Sequence, residues 1–131
     1  MNTVPERLTP QIEQIRIDDE LGIATYNLDG FAQEFGHEIK RVFPIFLVFV
    51  DGQLSAYYYA QGQVVIYPAV NPRLFTPRSF HYVGRTIVAA SKKVFGHPLW
   101  IVSKDTPVLT ESLLSKVFLR KLAVDTYEVR E

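Results

Sequence analysis

Cysteine is absent from this chain of 131 residues, and its absence excludes several kinds of chemistry. Disulfides, Fe–S clusters, thiolate nucleophiles and cysteine-based zinc sites all need the missing thiol. A chain of this length buries enough surface to fold without a disulfide or a metal as a staple. With 47% hydrophobic residues, the sequence predicts a single domain spanning residues 1–131.

Long apolar runs are also missing. The most apolar stretch, residues 43–50, contains Pro44 and stops at Asp51-Gly52, whereas a transmembrane helix needs about 20 apolar residues. The first residues are polar and acidic and lack the basic and apolar regions of a secretory signal. The sequence therefore predicts a soluble, cytoplasmic protein with no membrane partner.

Several catalytic motifs do not occur. The three histidines, His37, His81 and His97, fit no recognised metal spacing, so we expect no metal. There is no Gly-x-Ser-x-Gly and no phosphate-binding Gly-x-x-x-x-Gly-Lys-Ser/Thr, and hydrolases built on these motifs are excluded.

Acidic residues are missing from the middle of the chain, although 14 Lys and Arg balance 14 Asp and Glu overall. No acid lies between Asp51 and Asp105, where six basic residues occur, while residues 1–40 carry a net charge of −5. Two interpretations stay open: the basic stretch attracts an anionic ligand, or the acidic segment lies against it in the same molecule.

What is present is a strong β-hairpin pattern. Apolar and aromatic runs flank Asp51-Gly52, a dipeptide that accepts the positive φ angles of a type I′ turn. We predict a third antiparallel strand over residues 64–67, ending at Pro68. Further strands are predicted over residues 99–102 and 126–129.

Three helices are predicted from spacings of three and four between apolar residues. The first contains Phe31, Phe35 and Ile39. The second contains Val83, Ile87, Ala90 and Val94, and Gly96 is predicted to end it as a left-handed cap. The third has Thr110 as its N-cap and includes the apolar residues Leu113, Leu114, Val117, Phe118 and Leu122. Residues 9–28 are consistent with either a strand or a short helix.

The resulting order, α-β-β-β-α-β-α-β from about residue 29, indicates an α+β fold. We expect a mixed, mostly antiparallel sheet flanked by helices. The second helix connects the strands at 64–67 and 99–102 as a crossover, which makes those two strands parallel.

Two segments give this order a family resemblance. Val70-Asn71-Pro72 follows the third strand, and Arg78-Ser79-Phe80-His81-Tyr82-Val83-Gly84-Arg85 precedes the central helix. Together with the element order, they resemble the GCN5-related N-acetyltransferase (GNAT) superfamily over most of the chain. The resemblance implies an acyl-CoA N-acyltransferase architecture, with an opening in the sheet beside the start of the central helix. It also implies that the diphosphate of acetyl-CoA or another acyl-CoA is held by helix N–H groups and arginines, with these cofactor-binding residues: Val70, Arg78, Tyr82, Val83, Gly84 and Arg85.

The sequence departs from the family pattern at three positions. Tyr82 and Ser79 stand where the family's loop has glycine and Gln or Arg, and Leu119 stands where a tyrosine often protonates the departing thiolate. We assign no catalytic residue. Two functions remain: an N-acyltransferase acting on an unidentified amine, or a catalytically inactive GNAT-like binding or structural module, such as a phage or mobile-element accessory protein.

A nucleic-acid partner is not expected. Tyr57, Tyr58 and Tyr59 suggest an aromatic platform for bases, but successive strand residues point to opposite faces of a sheet. Packing within and against the sheet is therefore the favoured role for these three rings.

Overall fold

The computed structural model describes residues 10–15, 28–39, 45–62, 65–102, 106 and 108–130. Within these ranges the chain forms three helices: α1 (Leu28–Phe35), α2 (Pro77–Phe95) and α3 (Glu111–Ser115). It also forms seven strands: β1 (Gln11–Ile15), β2 (Ile45–Val50), β3 (Gln53–Gln61), β4 (Val65–Val70), β5 (Leu99–Ile101), β6 (Leu119–Ala123) and β7 (Thr126–Val129).

All seven strands belong to one mixed sheet with the order β1-β2-β3-β4-β5-β7-β6. Every neighbouring pair is antiparallel except β4 and β5, which are parallel and joined through α2. The predicted α+β class, the mixed sheet and the crossover are confirmed. Of the ambiguous segment 9–28, residues 11–15 form the edge strand β1, and residues 16–27 lie outside the described part of the chain.

The predicted hairpin is formed by β2 and β3. Asp51 and Gly52 have φ angles of 53° and 75°, as a type I′ turn requires. The strands on either side pair from Val50↔Gln53 to Ile45↔Tyr59.

Strand β4 does not end at Pro68 as predicted but continues to Val70. The Asn71 N–H donates to the Ser55 carbonyl at 2.8 Å. Backbone N–H and C=O groups alternate in direction along a strand. Those of residues 66, 68 and 70 therefore point away from β3, toward β5. Proline lacks an N–H and is tolerated on a side where the strand is not paired.

The missing N–H of Pro68 also explains why the β4–β5 ladder is short. It consists of Val65↔Leu99 and Ile66↔Trp100, and Pro68 has no N–H to extend it. Beyond Ile66, β4 runs on for four residues without a partner in β5. Among the described residues, pairing between these two strands therefore stops at Ile66.

Helix α2 begins earlier than the sequence indicated. The stretch from Arg78 to Arg85, predicted as a loop, lies entirely inside the helix, which starts at Pro77. Proline is favoured in the first helical turn, where its missing N–H costs nothing. At the other end Gly96 adopts φ 82°, and its N–H donates to the Lys92 carbonyl at 2.8 Å. The helix therefore ends at Gly96 as predicted, although the ψ angle of −94° differs from that of the predicted left-handed cap.

The third predicted helix is wrong in its second half. Thr110 caps α3 as expected, accepting from the Leu113 N–H at 3.3 Å, but the helix ends at Ser115. Phe118 then turns the chain with φ 69°, and Leu122 lies in β6, paired to β7. The predicted helical end around Leu119 is thus a strand, because pairing with β7 outweighs a spacing typical of helices.

Two hydrophobic clusters cover the two faces of the sheet. The larger lies between the sheet and helices α2 and α3 and includes Tyr58, Phe80 and Trp100. The smaller packs against α1 and includes Phe35 and Tyr57. Tyr57 and Tyr58 are both buried, so the packing role predicted for these two rings is the one observed.

Candidate functional site

The six residues assigned to a cofactor are divided between two elements. Val70 is buried at the end of β4, and the other five lie in the first half of α2. Val83 and Gly84 are buried on the core side of that helix, whereas Arg78, Tyr82 and Arg85 are exposed. The structure therefore brings three of the six together on an exposed surface and places the other three in the interior.

The start of α2 is capped by its own side chains. The Thr76 hydroxyl accepts from the Ser79 N–H at 3.0 Å, and the Ser79 hydroxyl accepts from the Thr76 N–H at 2.9 Å. The Phe80 N–H donates to the Thr76 carbonyl at 2.9 Å. Since Pro77 has no N–H, only the Arg78 N–H remains for a ligand among the first four residues of the helix.

This arrangement does not fit a diphosphate cradle. Such a cradle uses several converging N–H groups at a helix start or in a glycine-rich loop. Here the Arg78 N–H is the one donor of the first turn without a bond, and the donors from residue 81 onward lie inside a regular helix. Arg78 and Arg85 could pair with an anion only through their side chains.

Gly84 has a packing role rather than a phosphate-binding one. A Cβ built on it would lie 3.0 Å from Cζ of Phe80 and 3.0 Å from Cγ1 of Val117. Both of these side chains are buried in the larger cluster. The glycine therefore lets α2 approach the segment that follows α3, and its close contacts are with protein.

The exposed residues of α2 form a continuous surface. Arg78, Tyr82 and Arg85 are spaced by four and three residues, so they lie on one side of the helix. The guanidinium of Arg85 lies 4.9 Å from the ring centroid of Phe118, in cation–π geometry. We call these four residues, Arg78, Tyr82, Arg85 and Phe118, the α2 surface.

A second cluster of polar groups lies at the end of β4. Asn71 is fully buried; its amide nitrogen donates to Glu34 Oε1 at 2.7 Å and to the Leu54 carbonyl at 2.9 Å. Its side-chain oxygen accepts from the Arg73 N–H at 3.0 Å. This network holds the half-buried Glu34 carboxylate of α1 beside Asn71, the residue that directly follows Val70 at the end of β4.

Sequence reasoning missed Phe118 and the Glu34–Asn71 contact. Phe118 was assigned to a helix, and nothing in a phenylalanine indicates a left-handed backbone conformation. Glu34 and Asn71 are 37 positions apart, so only the folded sheet brings them together. The helical position of Arg78 had a usable signal in Thr76-Pro77-Arg78-Ser79, since Thr and Ser at this spacing form a cap and Pro favours the first turn.

A concave region of about 430 Å³ lies on the β5–β7–β6 part of the sheet, away from the predicted site. Its cross-strand row of Leu99, Glu128 and Arg120 belongs to the face opposite Trp100 and Tyr127. The Arg120 guanidinium forms an ion pair with Glu128 within this row. None of the six residues assigned to a cofactor lines this region.

The described ranges contain neither a metal-binding cluster nor a membrane-crossing helix. Within them, no group of three or more His, Asp or Glu side chains is arranged to hold a metal ion. Among the helices described, none combines the length and the apolar character that crossing a membrane requires.

Comparison with known proteins adds no assignment. No family model, no curated protein and no solved structure matches this chain. Any function must therefore be argued from the geometry of its own residues.

Proposed function

We propose that this protein is a GNAT-like module that binds a partner and does not transfer acyl groups. The observation that carries the proposal is the helical, self-capped start of α2. The resemblance requires N–H donors there for a diphosphate. Pro77 has no N–H, and the N–H groups of Ser79 and Phe80 donate to the hydroxyl and the carbonyl of Thr76, which leaves only the Arg78 N–H. An acyltransferase with no diphosphate site would lose most of its affinity for coenzyme A.

The topology of the sheet supports the proposed GNAT-like architecture. The antiparallel β2–β3–β4 meander, the crossover through α2 and the parallel β4–β5 pair follow the order on which the resemblance rests. The lack of β4–β5 pairing beyond Ile66 supports the same architecture. The position of Leu119 supports the absence of transfer, because a buried leucine in β6 has no proton to give a departing thiolate.

Acetyl-CoA and desulfo-coenzyme A in a thermal-unfolding assay test the proposal. A ligand that binds only the folded state raises the melting temperature. At a concentration 100-fold above its Kd, it adds about 2.7 kcal/mol to the free energy of unfolding. We expect no shift at millimolar concentrations of either compound. A saturable shift with acetyl-CoA would contradict the proposal.

A second candidate function, acyl transfer to an amine, is favoured by a specific observation at β4. The Val70 N–H points away from β3, on the side where β5 does not pair with it, and there it could donate to an acyl carbonyl. The Glu34 carboxylate, held by Asn71, lies beside the same strand end and could accept a proton from an incoming amine. If the protein transfers acyl groups, the arginines of the α2 surface hold the phosphate groups of coenzyme A through their side chains alone.

Four variants separate the candidates. If acetyl-CoA does raise the melting temperature, Arg78→Gln and Arg85→Gln should reduce the shift and Arg120→Gln should not, since Arg120 lies on the opposite sheet face. Glu34→Gln should then keep the thermal shift and lose the release of free thiol in the presence of an amine. Equal shifts in all of these arginine variants would remove the assigned phosphate contacts.

A further inference from the structure

The α2 surface contains two arginines, Arg78 and Arg85, that form no ion pair with a carboxylate of the described residues. Helix α2 carries Arg78, Arg85, Lys92 and Lys93 and has no acidic residue. Among the described residues, the ion pairs are Arg120–Glu128 and Lys121–Glu111, and neither involves Arg78 or Arg85. The two arginines therefore present guanidinium groups that are not neutralised by a described carboxylate.

Phe118 occupies a costly conformation at an exposed position. Its φ of 69° lies in the left-handed region, which is unfavourable for a bulky residue and which glycine or asparagine would adopt more easily. The side chain remains 43% exposed, so core packing offsets only part of this cost. A strained residue whose ring is left at the surface is a reason to look for a binding role.

The contact between Arg85 and Phe118 organises the surface. With its centre 4.9 Å from the ring centroid, the guanidinium is restrained on one side, while its N–H groups can still pair with a carboxylate. Tyr82, 39% exposed, lies on the same side of the helix between the two arginines. Tyrosine, phenylalanine and arginine are enriched in protein interfaces, whereas lysine is depleted.

We propose that the α2 surface docks an acidic segment of a partner protein that also carries an aromatic or large apolar side chain. Arg78 and Arg85 pair with carboxylates, and the rings of Tyr82 and Phe118 bury the apolar side chain. Strands of nucleic acid are held in grooves with successive stacked bases, whereas this surface lies along the outside of a helix, and Arg85 already covers one face of the Phe118 ring. The inference rests on the proposed function in one respect, namely that α2 serves binding.

Fluorescence polarisation with labelled synthetic probes tests the proposal. The main probe is the peptide Glu-Asp-Glu-Phe-Glu-Asp-Glu. One control replaces its acids with Gln and Asn, another replaces its Phe with Ser, and a third is an oligothymidylate of matched charge. We expect the acidic Phe peptide to bind in the micromolar to millimolar range, the Ser peptide to bind more weakly, and the amide peptide not to bind.

Phe118→Gly is the decisive variant because it separates folding from binding. Glycine adopts φ 69° without strain, so the variant should fold with an equal or higher melting temperature. Removal of the ring should still weaken peptide binding roughly tenfold. Arg85→Gln should weaken it similarly, and Arg120→Gln, which removes one charge from the opposite sheet face, should not.

Four results would overturn the proposal. These are no binding of the acidic Phe peptide up to millimolar concentration, equal binding by Phe118→Gly, an equal loss in Arg120→Gln, or tighter binding of the oligothymidylate than of the peptide. Salt-sensitive self-association that is lost in Arg85→Gln would also overturn it, because the occupant would then be a second copy of the chain. The proposed function fails separately, through a thermal shift with acetyl-CoA, which the peptide assay does not measure.

Discussion

Gly84 is an unusual residue for the middle of a 19-residue helix, since glycine destabilises a helix interior by about 1 kcal/mol relative to alanine. The structure explains why it stands there. The space for a Cβ is taken by Phe80 and Val117, and Phe80 is only 2% exposed, so its ring cannot move aside without disturbing the core. Close packing here outweighs helix propensity.

We therefore predict that Gly84→Ala lowers the stability of the fold, although alanine is the better helix former. Overpacking costs about 1–3 kcal/mol, against a propensity gain of about 1 kcal/mol, so the net loss should be about 1 kcal/mol. Urea unfolding measures it, and Ala89→Gly at an exposed position of the same helix calibrates the propensity part. Gly84→Ala should cost less stability in a Phe80→Leu background than in the native chain, and a stabilised Gly84→Ala would contradict this account.

Two buried phenols make stability depend on alkaline pH. Burial raises the pKa of Tyr57 and of Tyr58 above the ordinary value of 10, and Tyr57 is also hydrogen-bonded to His37 at 2.7 Å. The unfolded chain loses these two protons near pH 10 while the folded chain keeps them. The stability contributed by the neutral phenols is therefore complete below pH 10 and is lost as the pH rises above it.

The expected slope is a loss of about 2.7 kcal/mol per pH unit above about pH 10 from the two phenols together. Urea unfolding at a series of pH values from about 9 to 11 measures it. Tyr57→Phe and Tyr58→Phe should each remove about half of the slope, whatever they do to stability at neutral pH. A slope unchanged in both variants would show that other groups are responsible.

At the scale of elements, the capping of α2 is the feature on which the functional argument depends. Thr76→Ala removes the hydroxyl that accepts from Ser79 and should cost about 1 kcal/mol. Thr86→Ala is the matched control, since the Thr86 hydroxyl donates to the Tyr82 carbonyl in mid-helix and alanine is the better helix former there. We expect a lower melting temperature for Thr76→Ala alone. Equal effects would mean that the cap contributes little, and the start of α2 would then be open to an anion.

The same elements show how far sequence reasoning reaches. The β2–β3 hairpin and the end of α2 at Gly96 were predictable because Asp51-Gly52 and Gly96 impose their own backbone conformations. Strand β6 was not, because its apolar residues Leu119 and Leu122 have helical spacing and only pairing with β7 makes the segment a strand. Local patterns determine turns and caps, whereas long-range pairing decides between helix and strand where the pattern is ambiguous.

The candidate site follows the same rule. The absence of acids between Asp51 and Asp105 could be read from the sequence, and the spacing of Arg78, Tyr82 and Arg85 predicts a shared face once the segment is helical. That Phe118 joins this face depends on a turn 33 positions after Arg85 in sequence. Neither composition nor periodicity indicates such a contact.

At the scale of the whole molecule, one sheet separates two hydrophobic clusters. Ile45 in β2 faces α1 and Ile66 in β4 faces α2, and both are 0% exposed. Trp100, the single tryptophan, lies in the cluster on the α2 side. All the strands belong to one hydrogen-bonded sheet. A loss of packing on one face should therefore also lower the stability of the other face.

We predict that the two faces unfold as one cooperative unit. Ile45→Val and Ile66→Val remove one methylene each and should each cost about 0.5–1.5 kcal/mol, which lowers the melting temperature by about 2–6 °C for a chain of this size. Trp100 fluorescence and far-ultraviolet circular dichroism should report the same midpoint in both variants. If Ile45→Val shifted the dichroism transition and left the Trp100 transition unchanged, the α1 face would be an independent unit. Peptide binding to α2 would then stabilise only the half of the molecule that contains Trp100, whereas a cooperative sheet transmits that stabilisation to both faces.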